Sequence, residues 1–203
     1  MITAFIALAL MSGVTHPQKL SLTCPVTGEE ITTPFASYNY KGARFDMCCG
    51  MCPGPFSKNP DKFLDPDKVK DRTLGVYYFD PVSGMGVKPN ALRAKTDSVG
   101  PSVYQGIAYY FENADDQKAF DADPKKYTKV PEKEAIYCPV MKQEVKDLSM
   151  SGGYTDVKGV RWYICCSQCA DMLAKDPDKY LDADAMKYVH DVAAVKAIAK
   201  KDK

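Results

Sequence analysis

Apolar and aromatic residues cluster around three glycines in a pattern that predicts β-hairpins. Residues 44–47 and 160–164 are rich in aromatic and branched side chains, which favour strands. Gly42, Gly106 and Gly159 lie within such segments, and a glycine at this place is typical of a tight hairpin turn. The pattern therefore predicts a two-stranded hairpin at each glycine.

A short amphipathic helix is predicted after each hairpin, and prolines predict where it ends. The residue before a proline avoids helical backbone angles, so we expect each helix to end at a residue that precedes a proline. The three pairs are Asn59-Pro60, Asp123-Pro124 and Asp176-Pro177. Pro53 and Pro55 lie where the first helix begins, a position that tolerates the missing N–H. Residues 183–203 carry apolar side chains at helical spacing and predict a C-terminal helix.

The three hairpin–helix segments resemble one another along their whole length. Counted from each glycine, corresponding residues align without a gap over 22 positions. Each copy also opens with a matching signature: Cys24-Pro25-Val26, Asp80-Pro81-Val82 and Cys138-Pro139-Val140. We therefore predict an α+β protein of three tandem ββα modules, at residues 21–66, 77–130 and 136–182, with linkers at residues 67–76 and 131–135.

Composition and charge narrow the class of protein and its location. The chain has 27 Lys and Arg against 26 Asp and Glu, and this balance gives no reason to expect nucleic acid or an anionic membrane as a partner. Residues 1–15 are small and apolar, which is typical of a signal peptide, and they are too few to span a bilayer, which needs about 20 residues. We expect an exported protein, periplasmic or secreted, with no membrane span after cleavage. A buried N-terminal segment is the alternative.

The cysteines form two equal sets that predict metal sites. Each set has one Cys at a proline corner and a later Cys-Cys-x-x-Cys segment: Cys24, Cys48, Cys49 and Cys52 in the first copy, and Cys138, Cys165, Cys166 and Cys169 in the third. Cysteines three or four positions apart at a helix start are able to face one ion. Four thiolates suit tetrahedral Zn²⁺, and two or three also suit Cu(I). The expected cofactor is therefore Zn²⁺ or Cu(I).

Two other uses of these cysteines compete with metal binding. A module of this size buries too little apolar surface to fold unaided, so it needs a metal or disulfides. Disulfides are therefore the main alternative to metal binding. The adjacent residues Cys48 and Cys49 favour metal, because neighbouring cysteines rarely bridge each other comfortably. The functions that follow are a metal trap, carrier or sensor, a disulfide-stapled interaction module, and a thiol redox enzyme. No βαβ pattern accompanies the CxxC segments to support the last of these.

The middle copy has no cysteine. Its residues at the cysteine positions are Asp80, Glu112, Asn113 and Asp116. Their oxygen atoms suit a harder cation. The preferred alternative is that this copy has lost its metal and is held by packing, with Asp115 and Asp116 at the positive end of a helix.

A few further side chains are candidate ligands. Methionine thioethers suit Cu(I), and the candidates, whose alternative role is core packing, are Met47, Met51, Met85, Met141 and Met172. Met51, inside the Cys-Cys-Gly-Met-Cys segment, is the strongest of them. His16 would become the N-terminal residue after cleavage at Thr15 and would then chelate Cu(II), whereas His190 is expected at the surface. The chain has two His and no Ser–His–Asp set, so we expect no catalytic site and no enzyme.

The middle copy resembles a YHS domain, and the cysteine-rich copies resemble its relative, the TRASH domain. The first likeness rests on residues 80–85, 109–111 and 123–127, and the second on one Cys followed after a gap by CxxxC. The resemblance covers nearly all of residues 22–182. It implies a treble-clef-like fold that binds or senses heavy metals, with a metal ion and another metal-handling protein as candidate partners. The ligands it implies are Cys24, Cys48 and Cys52, then Cys138, Cys165 and Cys169, with Cys49 and Cys166 as additions to the pattern.

Overall fold

Hairpins followed by helices organise the computed structural model, which describes residues 20–69, 71–87, 98–192 and 196–197. In chain order the elements are β1 (Ala36–Tyr40), β2 (Ala43–Met47), α1 (Pro53–Lys58), β3 (Gly75–Tyr77), β4 (Val99–Tyr104), β5 (Ile107–Phe111), α2 (Ala114–Ala122), α3 (Pro124–Tyr127), β6 (Lys133–Ala135), β7 (Tyr137–Cys138), β8 (Gln143–Glu144), β9 (Gly153–Val157), β10 (Val160–Ile164), α4 (Ser167–Lys175), α5 (Pro177–Tyr180), α6 (Ala183–Met186), β11 (His190–Asp191) and β12 (Lys196–Ala197). The protein is therefore a mixed α+β fold with several small sheets and short helices.

The three predicted hairpins are confirmed, and each turns at its glycine. Gly42, Gly106 and Gly159 have φ angles of 78°, 76° and 75°, and the residue before each glycine also has a positive φ. Two consecutive residues with positive φ form the turn whose twist matches that of a two-stranded hairpin. The helix ends are confirmed as well, because the C-cap residues are Asn59, Asp123 and Asp176.

The strands form two larger sheets within the described residues. Their orders are β12-β1-β2-β3-β5-β4 and β11-β6-β10-β9, and β7 pairs with β8 alone. Strand β3 pairs antiparallel with β2 on one side and parallel with β5 on the other. The first and second hairpins therefore share one continuous sheet.

The two segments predicted as linkers each contain a strand, so that prediction is wrong. Strand β3 begins within residues 67–76, and β6 lies within residues 131–135. Each of these strands pairs in parallel with the second strand of the hairpin that follows it. A strand of three residues is too short to show alternation, and its partner lies far along the chain.

The predicted C-terminal helix over residues 183–203 is also wrong for its described part. Only Ala183–Met186 are helical, and β11 and β12 follow as short strands that pair with β6 and β1. Val189 and Val192, which flank β11, are β-branched and favour extended backbone, and the open edges of both sheets offer backbone partners. Residues 193–195 and 198–203 lie outside the described residues.

An aromatic core joins the middle copy to the third. The ring of Phe79 lies 5.4 Å from that of Tyr154 and 5.5 Å from that of Tyr163, measured between centroids. The backbone N–H of Tyr154 donates to the carbonyl of Gly84 at 2.8 Å. The core therefore runs across the boundaries that the sequence repeats suggest.

The predicted signal peptide, residues 1–15, and His16 lie outside the described residues. Within the described part of the chain, no helix has the length and apolar character needed to cross a membrane.

Candidate metal centres

The proline corner at Cys24 is a tight turn that buries the Cys24 side chain. The N–H of Gly28 donates to the Cys24 carbonyl at 2.8 Å, and the Cys24 N–H donates to Glu29 at 2.8 Å. Gly28 has a φ of 77°, a conformation that suits glycine. The turn therefore holds Cys24, which is fully buried, against the start of α1.

Three sulfur atoms meet at this corner. Cys48 follows β2 directly, and Cys52 precedes α1. The Sγ atoms of Cys24, Cys48 and Cys52 all lie within 4.8 Å of one another, and those of Cys48 and Cys52 are 3.7 Å apart. Sulfur ligands at about 2.3 Å from a tetrahedral ion lie about 3.8 Å from each other, so this spacing fits one shared ion.

The third copy repeats this arrangement. Cys138 lies in β7 beside the turn to β8, Cys165 follows β10, and Cys169 lies in the first turn of α4. Their Sγ atoms also lie within 4.8 Å of one another, with 3.9 Å between Cys165 and Cys169. In both copies the first and last cysteines are buried and the middle one is half-buried.

Cys49 and Cys166 lie beside these trios but are not among the sulfurs that converge. The Sγ of Cys49 is 3.4 Å from that of Cys52, and the Sγ of Cys166 is 3.0 Å from that of Cys169. All eight cysteines lie in the described residues, and all are free thiols. The structure therefore brings together three members of each predicted set. The remaining cysteine, Cys49 or Cys166, lies beside the last member of its trio.

Hydrogen bonds around Cys24 favour its thiolate. Burial acts to raise the pKa of Cys24, but backbone N–H groups of Thr27, Cys48 and Val26, with the Thr27 hydroxyl, outweigh it and lower the pKa to about 7. Burial raises the pKa of Cys52, and neighbouring thiols add to the rise. A thiol of this second kind ionises readily only when a cation is at hand.

The third site shows the same effect of burial. Burial and the neighbouring Cys138 raise the pKa of Cys165 to about 11, and burial also raises the pKa of Cys169. Metal binding at this site would therefore release protons.

A buried carboxylate takes the place of the first cysteine in the middle copy. Asp80 is fully buried and accepts hydrogen bonds from the N–H groups of Val82 at 2.8 Å, Ser83 at 3.4 Å and Glu112 at 2.8 Å. The donors match in position those that act on Cys24. Burial raises the pKa of Asp80 to about 6 against these bonds, and the nearby Asp116 adds to the rise.

The other cysteine positions of the middle copy form a helix cap. Asn113 accepts a hydrogen bond from the Asp116 N–H at 2.9 Å and is the N-cap of α2. Among the described residues, the two groups close enough to share an ion are the two cysteine trios, and the middle copy supplies no third. Sequence reasoning missed the role of Asp80, although Asp before Pro-Val-Ser is a signal for a side chain that caps its own turn.

The candidate methionines and His190 differ in exposure and in the residues they contact. Met47 is buried in the core, whereas Met51, Met141 and Met172 are exposed; Met51 is 81% exposed. Met85, from the middle copy, packs against the cluster that contains Cys138 and Cys169. His190 is half-buried, with its Nε2 atom 3.3 Å from Glu134, rather than a plain surface residue.

A comparison of the chain with protein families, with curated proteins and with solved structures found no match. The resemblance to YHS and TRASH domains stays a prediction. What the site can do must therefore be argued from its own geometry.

Proposed function

We propose that this protein binds a soft metal ion, Zn²⁺ or Cu(I), at two thiolate sites and acts as a trap, carrier or sensor of that ion. The observation that carries the proposal is the convergence of three sulfur atoms from a proline turn, a strand end and a helix start, which occurs in two copies. Sulfur ligands are those that select Zn²⁺ and Cu(I) over harder cations.

The surroundings of the first site support this proposal. Fixed N–H groups point at the Cys24 sulfur, and they stabilise an anion whether or not an ion is bound. In the middle copy, which has no cysteine, the Asp80 carboxylate accepts hydrogen bonds from the corresponding N–H groups, so that copy needs no ion. The proposed binding sites thus coincide with the copies that retain sulfur.

The finer architecture belongs to the same proposal. We take residues 21–66, 77–130 and 136–182 as three treble-clef-like modules, of which the first and third bind metal. We propose a binding protein rather than an enzyme, which receives its ion from or passes it to another metal-handling protein.

Metal titration of the reduced, full-length protein tests the function. Native mass spectrometry with Zn²⁺ and, separately, with Cu(I) is expected to show one ion for each of the two trios. The variant Cys24→Ser/Cys52→Ser should lose one ion and Cys138→Ser/Cys169→Ser the other, whereas the control Ser83→Ala in the middle copy should keep both. A reduced, folded protein that takes up neither ion would refute the proposal.

Purification without reductant distinguishes metal binding from the main alternative, a protein held together by disulfides. A protein with its thiols free and its metal bound supports the proposal. A mass that indicates two to four disulfides, with no metal taken up after reduction, would favour a disulfide-stapled interaction module instead.

Export is a separate part of the proposal. Residues 1–15 are expected to be removed, and N-terminal sequencing of the exported protein should find His16 first. A different first residue would remove His16 as a Cu(II) ligand.

A further inference from the structure

We propose that Cys49–Cys52 and Cys166–Cys169 are redox pairs, and that their oxidation to disulfides ejects the metal ion. This inference rests on the proposed function, because it gives the fourth cysteine of each set a role in releasing the ion rather than in holding it.

The geometry makes one cysteine common to two groups. Cys52 lies 3.7 Å from Cys48, within the trio, and 3.4 Å from Cys49, outside it. In the third copy Cys169 lies 3.9 Å from Cys165 and 3.0 Å from Cys166. The same sharing in two copies indicates an arrangement that is built in rather than incidental.

The pattern of loss in the middle copy agrees with this pairing. That copy lacks the trio and also lacks the additional cysteine, since Asn113 stands where Cys49 and Cys166 stand in the others. The fourth cysteine is therefore present only where there is a trio to act on.

Exposure gives the two members of each pair different parts in the reaction. Cys49 and Cys166 are half-buried, whereas Cys52 and Cys169 are buried. Within each pair, a dissolved oxidant therefore reaches the additional cysteine before its buried partner. A pair of the Cys-x-x-Cys type is also the spacing that disulfide exchange uses in other proteins.

The reaction balances with a small-molecule disulfide as oxidant. The Cys49 thiolate attacks one sulfur of the oxidant, whose S–S bond breaks to release one thiolate and leave a mixed disulfide. Cys52 then leaves the ion and attacks the Cys49 sulfur, which displaces the second thiolate. The cysteine pair is oxidised and the oxidant is reduced to two thiolates, which take up protons from water, so the ion keeps only Cys24 and Cys48.

The test compares two matched double variants of the full-length protein, each loaded with Zn²⁺ in the absence of oxidant. Cys49→Ser/Cys166→Ser removes the additional sulfurs, and Cys48→Ser/Cys165→Ser removes one sulfur from each trio. We expect the first variant to keep two ions with nearly unchanged affinity. The second should lose at least about tenfold in affinity, as damage to a metal site does. Far-UV circular dichroism checks that both variants are folded.

Oxidised glutathione is then added to the loaded proteins, and released Zn²⁺ is followed with a chromophoric chelator. Wild-type protein should release its ions as Cys49–Cys52 and Cys166–Cys169 disulfides form, identified by peptide mass spectrometry. The Cys49→Ser/Cys166→Ser variant should retain them. Loss of ions or of affinity in that variant before oxidation would make Cys49 and Cys166 ligands and overturn the inference, as would wild-type protein that keeps its ions or forms other disulfides. Failure of wild-type protein to bind Zn²⁺ at all would instead count against the proposed function.

Discussion

At the scale of single residues, one backbone frame holds two chemically different side chains. The N–H groups that favour the Cys24 thiolate have counterparts that bind the Asp80 carboxylate. Such groups are fixed in place by the turn and by the strand end, so they stabilise negative charge without regard to the atom that carries it. Corresponding N–H groups therefore serve a thiolate in the first copy and a carboxylate in the middle copy.

The raised pKa of Asp80 predicts a specific dependence of stability on pH. The pKa moves from its ordinary 3.8 to about 6 in the folded state, so between these values the folded protein binds more protons than the unfolded chain. The free energy of unfolding contributed by Asp80 is thus fully present below pH 3.8 and declines as the pH rises to about 6.

Urea unfolding of wild type and Asp80→Asn between pH 3.5 and 8, with reductant and chelator present, measures this. The difference in the free energy of unfolding, wild type minus variant, should fall up to about pH 6 and then stay level. Asp116, whose charge adds to the rise in the Asp80 pKa, is present in both proteins. A difference that is independent of pH would contradict the assignment.

Two arginines at equivalent hairpin positions predict a contrast in stability. Arg161 is 2% exposed, and it forms a two-pronged ion pair with Asp156 and also donates to the Tyr77 hydroxyl. Arg44 pairs with Asp46 and is more exposed. Lysine cannot reproduce the fork of the guanidinium, so Arg161→Lys should lower the free energy of unfolding by about 2–3 kcal/mol.

The matched control is Arg44→Lys, for which we expect a loss of about 1 kcal/mol or less because its charge is partly solvated. Both values come from urea unfolding at pH 7. Equal losses in the two variants would show that the buried contacts of Arg161 contribute little.

At the scale of elements, the hairpin turns share a backbone conformation but not their surroundings. A Cβ atom added at Gly159 meets nothing within 4 Å, whereas one added at Gly42 would lie 2.6 Å from the Tyr77 ring. The two positions therefore separate backbone strain from crowding.

Gly159→Ala should lower the free energy of unfolding by about 1–2 kcal/mol through the left-handed backbone alone. Gly42→Ala should lose about 1–3 kcal/mol more, because the Tyr77 ring must move. Thermal and urea unfolding of the two variants side by side give the comparison. A smaller loss for Gly42→Ala than for Gly159→Ala would contradict it.

The elements that sequence predicted are those whose signals are local. A glycine turn between apolar residues and a proline after a helix act within a few residues, so the hairpins and the helix ends could be predicted. The cysteine spacing likewise predicted that sulfurs of each set would meet, but it did not separate Cys49 and Cys166 from the trios that converge. By contrast, β3 and β12 owe their conformation to partners distant in sequence, and the bond from Glu112 to Asp80 spans 32 positions. No local pattern at β3 or β12 identifies those distant partners.

At the scale of the whole molecule, the copies are joined rather than strung together. Strand β3 joins the first and second hairpins in one sheet, and Phe79 packs on two tyrosines of the third copy. Because each copy completes its core with its neighbours, we expect the metal-free protein to unfold as one unit.

Trp162 is the only tryptophan of the chain, is fully buried, and lies in the third copy. Urea unfolding with chelator present should give the same midpoint by Trp162 fluorescence and by far-UV circular dichroism. Asp80→Asn, a change in the middle copy, should move both midpoints together. Separate midpoints would mean that the copies unfold independently.

The pairing of β12 with β1 also bears on the order in which the protein is made. Tyr38 in β1 lies opposite Ala197 in β12, so the first hairpin gains this neighbour only after residues 48–197 have been synthesised. Until then the outer edge of β1 presents unpaired backbone groups to any extended segment nearby, a state that invites association between nascent chains. A segment synthesised long after β1 thus pairs with the edge that β1 leaves open.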